Sequence, residues 1–261
     1  MQIITSKDNE TIKQIRKLKE KKHRDTEHAY MIEGIKMVKE AVQEKANIRL
    51  IVICEENVND GGIDQKWLYE IAKYDCIYVN HKVFALLTDV QNPQGILAVI
   101  EKQNAGKDID YKQEVIIALD GIQDPGNLGT ILRTIDSVGL NQVIVSKETA
   151  DAYNPKVVRS TMGAIFRVNI IESENLVETL KVAKKHKFKI AATALENAQS
   201  IYETDLHKRV IVIGNEANGV SKEVLEYADE RIKIPMLGKT ESLNASVATG
   251  IVLYEYVRRK I

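Results

Sequence analysis

The residues with the clearest chemical potential lie in two stretches of the C-terminal half. The first is Asp120-Gly121-Ile122-Gln123-Asp124-Pro125-Gly126-Asn127-Leu128-Gly129-Thr130-Ile131-Leu132-Arg133, where Pro-Gly makes a turn and Asn127 reads as a helix N-cap. Leu128, Ile131, Leu132 and Ile135 then form a buried stripe, which leaves Arg133 on the opposite side. Its neighbours one turn away, Gly129, Thr130 and Ser137, are all small. A plain surface arginine needs no such clearance; small flanks let another backbone, a subunit or a substrate reach the guanidinium. The second stretch, 210–250, holds three successive loops suited to gripping a small charged ligand on backbone atoms. Gly214-Asn215-Glu216-Ala217-Asn218-Gly219 follows the apolar run 210–213, and a loop from Pro235 to Glu241 follows a strand over 231–234. The third is a small-residue helix start over 242–250, with Ser242 where an N-cap belongs.

Several chemistries are excluded by the same residues. Gly214 and Gly219 have the spacing of a phosphate-binding loop, but Val220 and Ser221 stand where Lys and Ser/Thr would be needed. No Gly-x-Gly pair follows a strand, so the usual dinucleotide fingerprint is missing. The five histidines have no metal-ligand spacing, and there is no Gly-x-Ser-x-Gly elbow. Neither a metal site nor an obvious nucleophile is expected.

Positioning these residues takes an α/β framework. Strands are expected over 115–119, 142–145, 167–171, 189–194, 210–213 and 231–234, with helices over 128–138 and 176–185 and a C-terminal helix. Before them, helices over 34–44, near Trp67 and over 83–87 alternate with strands over 48–54, 76–79 and 95–100. The polar stretch 101–112 reads as a linker. Three segments result: a small α/β unit over 1–100, a linker over 101–112 and a second α/β unit over 113–261.

With 44% hydrophobic and 28% charged residues in 261, composition is that of a soluble globular chain. Apolar runs are too short for a membrane helix and the N-terminus is not signal-like, so a cytoplasmic location is expected. Cys54 and Cys76 are too few for a disulfide framework. The 37 basic and 37 acidic residues cancel overall. Locally they do not: Lys13, Arg16, Lys17, Lys19, Lys21, Lys22 and Arg24 face one acid, Glu20. Ile12, Ile15 and Leu18 give this expected helix an apolar side and leave the bases outward, where Lys13, Arg16, Lys17, Lys21 and Arg24 could meet nucleic-acid phosphates.

Taken jointly, Asn127-x-Gly129-x3-Arg133, Ile213-Gly214-Asn215-Glu216-x2-Gly219, and Ile234-Pro235-Met236 with Ser242-Leu243-Asn244-x-Ser246 resemble the three motifs of the TrmH/SpoU family of the SPOUT superfamily. The resemblance covers 115–259, and 1–100, with Leu87-x5-Pro93-Gln94-Gly95-Ile96-x-Ala98, resembles the substrate-binding domain fused to such enzymes. It implies an S-adenosylmethionine-dependent RNA ribose 2′-O-methyltransferase, with ribosomal RNA favoured over transfer RNA because an extra basic domain suits a large structured target. It also implies a deep trefoil knot in the C-terminal domain, whose threading small residues such as Gly214, Gly238, Ala245, Ala248 and Gly250 would permit. By motif position, Gly214, Ile234 and Leu243, with Leu195, Met236 and Ser246, should touch the cofactor.

The catalytic set carried over is Arg133, Asn127, Glu216, Ser242 and Asn244. Arg133 is cast in the family as the base at the ribose oxygen, but a guanidinium is normally charged, so electrostatic stabilisation of the developing alkoxide is the role expected here, with Glu216 orienting it. Ser242 and Asn244 would hydrogen-bond substrate or cofactor, and Asn127 would hold the loop beside Arg133. A homodimer through the C-terminal domains is also implied, in keeping with the apolar end of the chain, Ile251 to Val257. The residues themselves leave open an idle RNA-binding relative of the same fold, or an unrelated α/β enzyme of another nucleotide.

Overall fold

The computed structural model describes residues 3–61, 63–102 and 108–261. The chain forms two compact units, Met1–Gln103 with Tyr153–Phe166, and Asn104–Ala152 with Arg167–Ile261. The first unit thus takes a segment that the expected division at 113 gave to the second. Part of the expected linker, 103–107, lies outside the described residues.

In chain order the first unit begins with β1 (Ile3–Ile4), α1 (Glu10–Lys17), α2 (Lys21–Glu27), β2 (Ala29–Glu33), α3 (Ile35–Gln43) and β3 (Ile48–Cys54). It continues through α4 (Glu55–Asn59), α5 (Gln65–Ile71), β4 (Cys76–Val79), α6 (His81–Leu87) and β5 (Ile96–Glu101). Its five-stranded sheet has the order β1-β4-β3-β5-β2. The basic segment is two helices, not one, because Glu20 is extended and starts α2 afresh. The expected apolar side is present: Ile12, Ile15 and Leu18 are buried. Strand β2 had no alternation to betray it, since Ala29 to Ile32 are buried on both faces although β2 ends the sheet. Its cover is the returning segment, in which the Tyr153 ring lies 4.9 Å from that of Tyr30. An edge strand hidden in this way needs no polar face.

The signature around Pro93 is structural. Gln94 Oε1 accepts from the Ile35 amide at 2.8 Å, capping α3, whose N-cap Gly34 has no side chain to do so. Gly95 has φ +76°, and a Cβ there would fall 2.3 Å from Asn57 Cγ. Only glycine meets both demands.

The second unit contains β6 (Val115–Asp120), α7 (Pro125–Ser137) and β7 (Gln142–Ser146). After α8 (Pro155–Ser160), which belongs to the first unit, come β8 (Asn169–Ser173), α9 (Leu176–Lys185), β9 (Lys189–Thr193) and β10 (Gln199–Ser200). The chain ends with β11 (Arg209–Gly214), α10 (Lys222–Tyr227), β12 (Glu230–Lys233) and α11 (Ala245–Arg258). The seven strands, ordered β10-β12-β9-β11-β6-β7-β8, are parallel throughout. Both faces are covered, so β6 and β11 read as unbroken apolar runs.

At the C-terminus, buried Glu255 accepts from Arg258 Nε at 2.8 Å and Arg259 Nε at 2.7 Å. Arg259 reaches on to the carbonyls of Ile201, Tyr202 and Thr204, anchoring α11 to the turn after β10.

Candidate active site

Parallel strands send all their C-terminal ends to one edge, and the three motif loops leave that edge from β6, β11 and β12. Strand β9 pairs with both β11 and β12, matching Val212 with Ala192 and Ile232 with Thr193. Gly214 ends β11, Ile234 directly follows β12 and Leu195 follows β9 by two residues, so all three stand at this edge.

Each loop is built by local bonds. Helix α7 starts at Pro125, earlier than expected, and its N-cap is Asp124, whose Oδ1 accepts from the Asn127 amide at 2.7 Å. Asn127 is therefore not the cap, and its carboxamide is free for other work. Proline at the first helical position directly after an aspartate is a start signal that could have revealed this. Likewise α11 is capped by Asn244, whose Oδ1 accepts from the amides of Ser246 and Val247 and from Ser246 Oγ at 2.6 Å. Ser242 is not a cap; it is exposed two residues before the helix cap.

The carboxamide of Asn127 joins all three motifs. Its Nδ2 donates to Glu216 Oε1 at 2.8 Å, and its Oδ1 accepts from Asn244 Nδ2 at 2.8 Å. Glu216 also accepts from the amides of Gln123 at 3.3 Å and Asp124 at 3.4 Å, at the entrance to α7. Partial burial raises the pKa of Glu216, but these donors and its own amide outweigh that, and the net shift is downward. The carboxylate therefore stays charged at neutral pH, facing the positive end of a helix.

Two further bonds, on residues to which the sequence reading assigned no role, lock the loops together. Asn215 Nδ2 donates to the Gly121 carbonyl at 2.7 Å, while Asn215 Oδ1 holds the amides of Ala217 and Asn218. Asp120 Oδ2 accepts from the Ser221 amide at 2.7 Å. The loop closes on itself through paired amide and carbonyl groups of Asn215 and Gly219 at 2.9 Å. A Cβ on Gly214 would lie 2.1 Å from the Gly219 carbonyl carbon and the Val220 nitrogen. That close approach accounts for Gly214, but not for the others: nothing lies within 4 Å of a Cβ on Gly238, and one on Gly250 would make only ordinary contact with Thr134.

Arg133 lies on the exposed side of α7 and makes no hydrogen bond or ion pair with any described residue. Within the chain Glu216 does not pair with Arg133 as expected; its carboxylate is taken by Asn127 and the loop amides. The hydroxyls beside Arg133 are turned back on their own helix: Thr130 to the Gly126 carbonyl, Thr134 to that of Thr130, and Ser137 to that of Thr134, all at 2.8 Å. The guanidinium has a clear approach.

Of the expected cofactor residues, Gly214 is buried and Ile234, Met236 and Ser246 are half-buried. Leu195 is 66% exposed and Leu243 is also exposed, so neither is a core residue. A cavity of about 420 Å³ adjoins the same loops through Gly121, Gln123 and Asn215, but Asp120, Glu148 and Glu174 also line it, which disfavours phosphate there.

In the first unit, Lys13, Arg16, Lys17 and Lys21 are exposed. Arg24 is not a surface contact: it is 2% exposed, and its Nη1 donates to the carbonyls of Leu18 at 2.8 Å and Lys19 at 2.7 Å. No helix among the described residues is long and apolar enough to cross a membrane.

Comparison with known proteins places this geometry. Residues 9–98 match the MRM3-like substrate binding domain. The 23S rRNA (guanosine(2553)-2'-O)-methyltransferase RlmP of Bacillus subtilis (strain 168) is 31% identical over 255 residues, covering 97% of this chain and 98% of that protein. The crystal structure of an AdoMet-bound rRNA methyltransferase from Sinorhizobium meliloti matches with a TM-score of 0.86 at 32% identity, covering 100% of this chain and 98% of that one. The SpoU methyltransferase AviRb from Streptomyces viridochromogenes, in complex with AdoMet, matches with a TM-score of 0.84 at 25% identity, covering 97% and 98%. Residues 114–254, which carry the hydrogen-bonded loops and Arg133, match the SpoU rRNA Methylase family, and the chain belongs to it.

Proposed function

We propose that this protein transfers a methyl group from S-adenosylmethionine to a ribose 2′-hydroxyl of RNA, with 23S ribosomal RNA as the substrate. The observation that carries this reading is the array Glu216–Asn127–Asn244–Ser246, which ties three separated motifs into one rigid edge beside an unencumbered arginine. Support outside the chain comes from the 2'-O-methyltransferase of Bacillus subtilis, similar over almost the whole length.

The residues fit the cofactor. Uncovered Leu195 and Leu243, with half-buried Ile234 and Met236, offer apolar surface to an adenosine, beside the tightly packed backbone at Gly214. When bound, S-adenosylmethionine supplies a methyl group activated on a sulfonium. The chain's part is alignment and charge. Asn127 and Asn244 hold the start of α7 and the start of α11 in fixed register, so that bound groups meet at a set distance and angle. Arg133, with no internal partner, stabilises negative charge growing on the ribose oxygen as its proton passes to solvent. Ser242, which is exposed, hydrogen-bonds the substrate. Gly214, Leu243 and Ser246 complete the cofactor's surroundings.

The first unit serves as the RNA-binding domain and the second as the methyltransferase domain, with the trefoil knot in the latter. Dimerisation through the second unit is part of this reading, and α11 supports it: Val247, Ile251 and Tyr254 form one stripe, with Val247 50% and Tyr254 55% exposed. A second copy covering that stripe would bring the adjoining Arg133 close to the partner's site. The enzyme acts in the cytoplasm, where ribosomal RNA is matured.

The test incubates the protein with labelled S-adenosylmethionine and bulk RNA from a strain lacking its gene, alongside Arg133→Ala. Label recovered as an alkali-resistant 2′-O-methyl dinucleotide in large ribosomal RNA, and lost in the variant, is expected. Label confined to transfer RNA would overturn the substrate, and cofactor binding without any label would overturn the activity.

A further inference from the structure

One face of the first unit's sheet carries two helices with exposed cationic sides. Ile12 and Ile15 of α1 share one apolar cluster with Val83, Phe84 and Leu87 of α6, and with Val52 and Cys54 of β3. Helices α1 and α6 therefore lie side by side on the same face. The buried residues of α3 and α5, including Val38 and Trp67, are absent from that cluster, and the two helices meet elsewhere, with Lys39 Nζ 5.3 Å from the Trp67 ring centre.

With their apolar sides inward, α1 presents Lys13, Arg16 and Lys17 to solvent, and α6 presents His81 and Lys82. Just beyond α1, α2 presents Lys21 and Lys22. Not all cations of the region are available. Lys13 pairs with Glu10 at 2.9 Å and Lys19 with Asp89 at 2.7 Å. Arg24 is spent inside, pinning the turn between α1 and α2 through two carbonyls. Arg16, Lys17, Lys21, Lys22 and Lys82 are exposed and form no ion pair with any described residue. Asn80 caps α6, its Oδ1 accepting from the Val83 amide at 3.0 Å, and so fixes where Lys82 stands.

We propose that α6 joins α1 and α2 in one phosphate-binding face for the substrate RNA, with Lys82 and Lys22 as contacts alongside Arg16, Lys17 and Lys21. This rests on RNA being the substrate and adds which face meets it. Charge complementarity selects the occupant: exposed cations without an ion-pair partner among the described residues gain by releasing the counterions condensed on a polyanion. Cations already bound to Glu10 or Asp89 would have to leave a partner first.

The experiment titrates the full chain against a fluorescein-labelled RNA hairpin by anisotropy over a series of salt concentrations. For each phosphate contact the slope of log K against log salt steepens by roughly 0.7 to 0.9. Lys17→Gln and Lys82→Gln should each weaken binding and make the slope shallower by about that one step, and the double variant by two. Lys66→Gln, on α5, should behave as wild type. A wild-type slope for Lys82→Gln, with a reduced slope for Lys17→Gln, would remove α6 from the face and overturn the inference while leaving RNA as the substrate. If wild type itself bound the hairpin without salt dependence, yet still bound S-adenosylmethionine in a calorimeter, the RNA reading and this inference would fall together.

Discussion

Replacing Asn127 by alanine tests the central claim about the site, because this one carboxamide bridges Glu216 and Asn244. The substitution removes a neutral bond and a bond to a carboxylate, each 2.8 Å long. Net values for such bonds start at about 0.5 kcal/mol for a neutral pair and about 1.5 kcal/mol for a charged one. The low ends apply, since the array is open to solvent, and together they come to about 2 kcal/mol of coupling. The cap of α7 survives, because Asp124 bonds the backbone amide of residue 127 and not its side chain. Folding should therefore lose no more than these two bonds contribute, and the functional loss should fall on alignment. If all of it is felt in the transition state, kcat drops roughly 30-fold. The assay is single-turnover methyl transfer to ribosomal RNA, with cofactor affinity from calorimetry and stability from thermal melting. Asn127→Asp should be worse than Asn127→Ala, since it sets a carboxylate against Glu216. A rate within about threefold of wild type for Asn127→Ala, with unaltered melting and cofactor affinity, would refute the argument that the array positions the reacting groups.

Other outcomes follow from the same coordinates. Gly214→Ala forces a methyl group against the backbone of Gly219 and Val220, which should destabilise the second unit by at least about 1–3 kcal/mol and abolish cofactor binding, measured by denaturant unfolding and calorimetry. Arg24→Met leaves the Leu18 and Lys19 carbonyls without their donor and should lower stability by about 1–3 kcal/mol, whereas Arg16→Gln on the surface should stay within about 0.5 kcal/mol of wild type by the same unfolding measurement. Hydrogen bonds from Arg258 and then Arg259, opposed by burial, hold the Glu255 carboxyl down at about 2 against an ordinary 4.5. Its folded pKa is depressed, so its contribution is complete above about pH 4.5 and fades as pH falls towards 2. The stability difference between wild type and Glu255→Gln should accordingly be largest near neutrality and shrink through that acid window in a pH series of melts.

Much of this protein was legible in its sequence because the signals are local. The strands β3 and β4 emerge with the bounds that their apolar runs predict, and α9 does so from its helical periodicity. Buried parallel strands announce themselves as continuous runs, and glycine, proline and asparagine mark the loops that interrupt them. The order and spacing of the three motifs were sufficient to place the chain in its family. Bonding partners were another matter, since they depend on which loops the sheet order makes adjacent. Asn127 and Glu216 are 89 residues apart and Asn127 and Asn244 are 117 apart, so only the neighbouring of β6 with β11, and the packing of α11 on α7, could bring them together. The same holds for Arg24. A basic residue in a basic stretch reads as surface, but the break at Glu20 turns α2 so that the guanidinium points inward and satisfies two carbonyls at the turn. Strand β2 stayed hidden because the segment that covers it, Tyr153–Phe166, arrives more than a hundred residues later. Local periodicity determined which elements form and which residue types stand in the loops. Tertiary structure decided which polar group each would meet, because a hydrogen bond needs its partner within about 3 Å, and that distance is set by packing between segments remote in the chain.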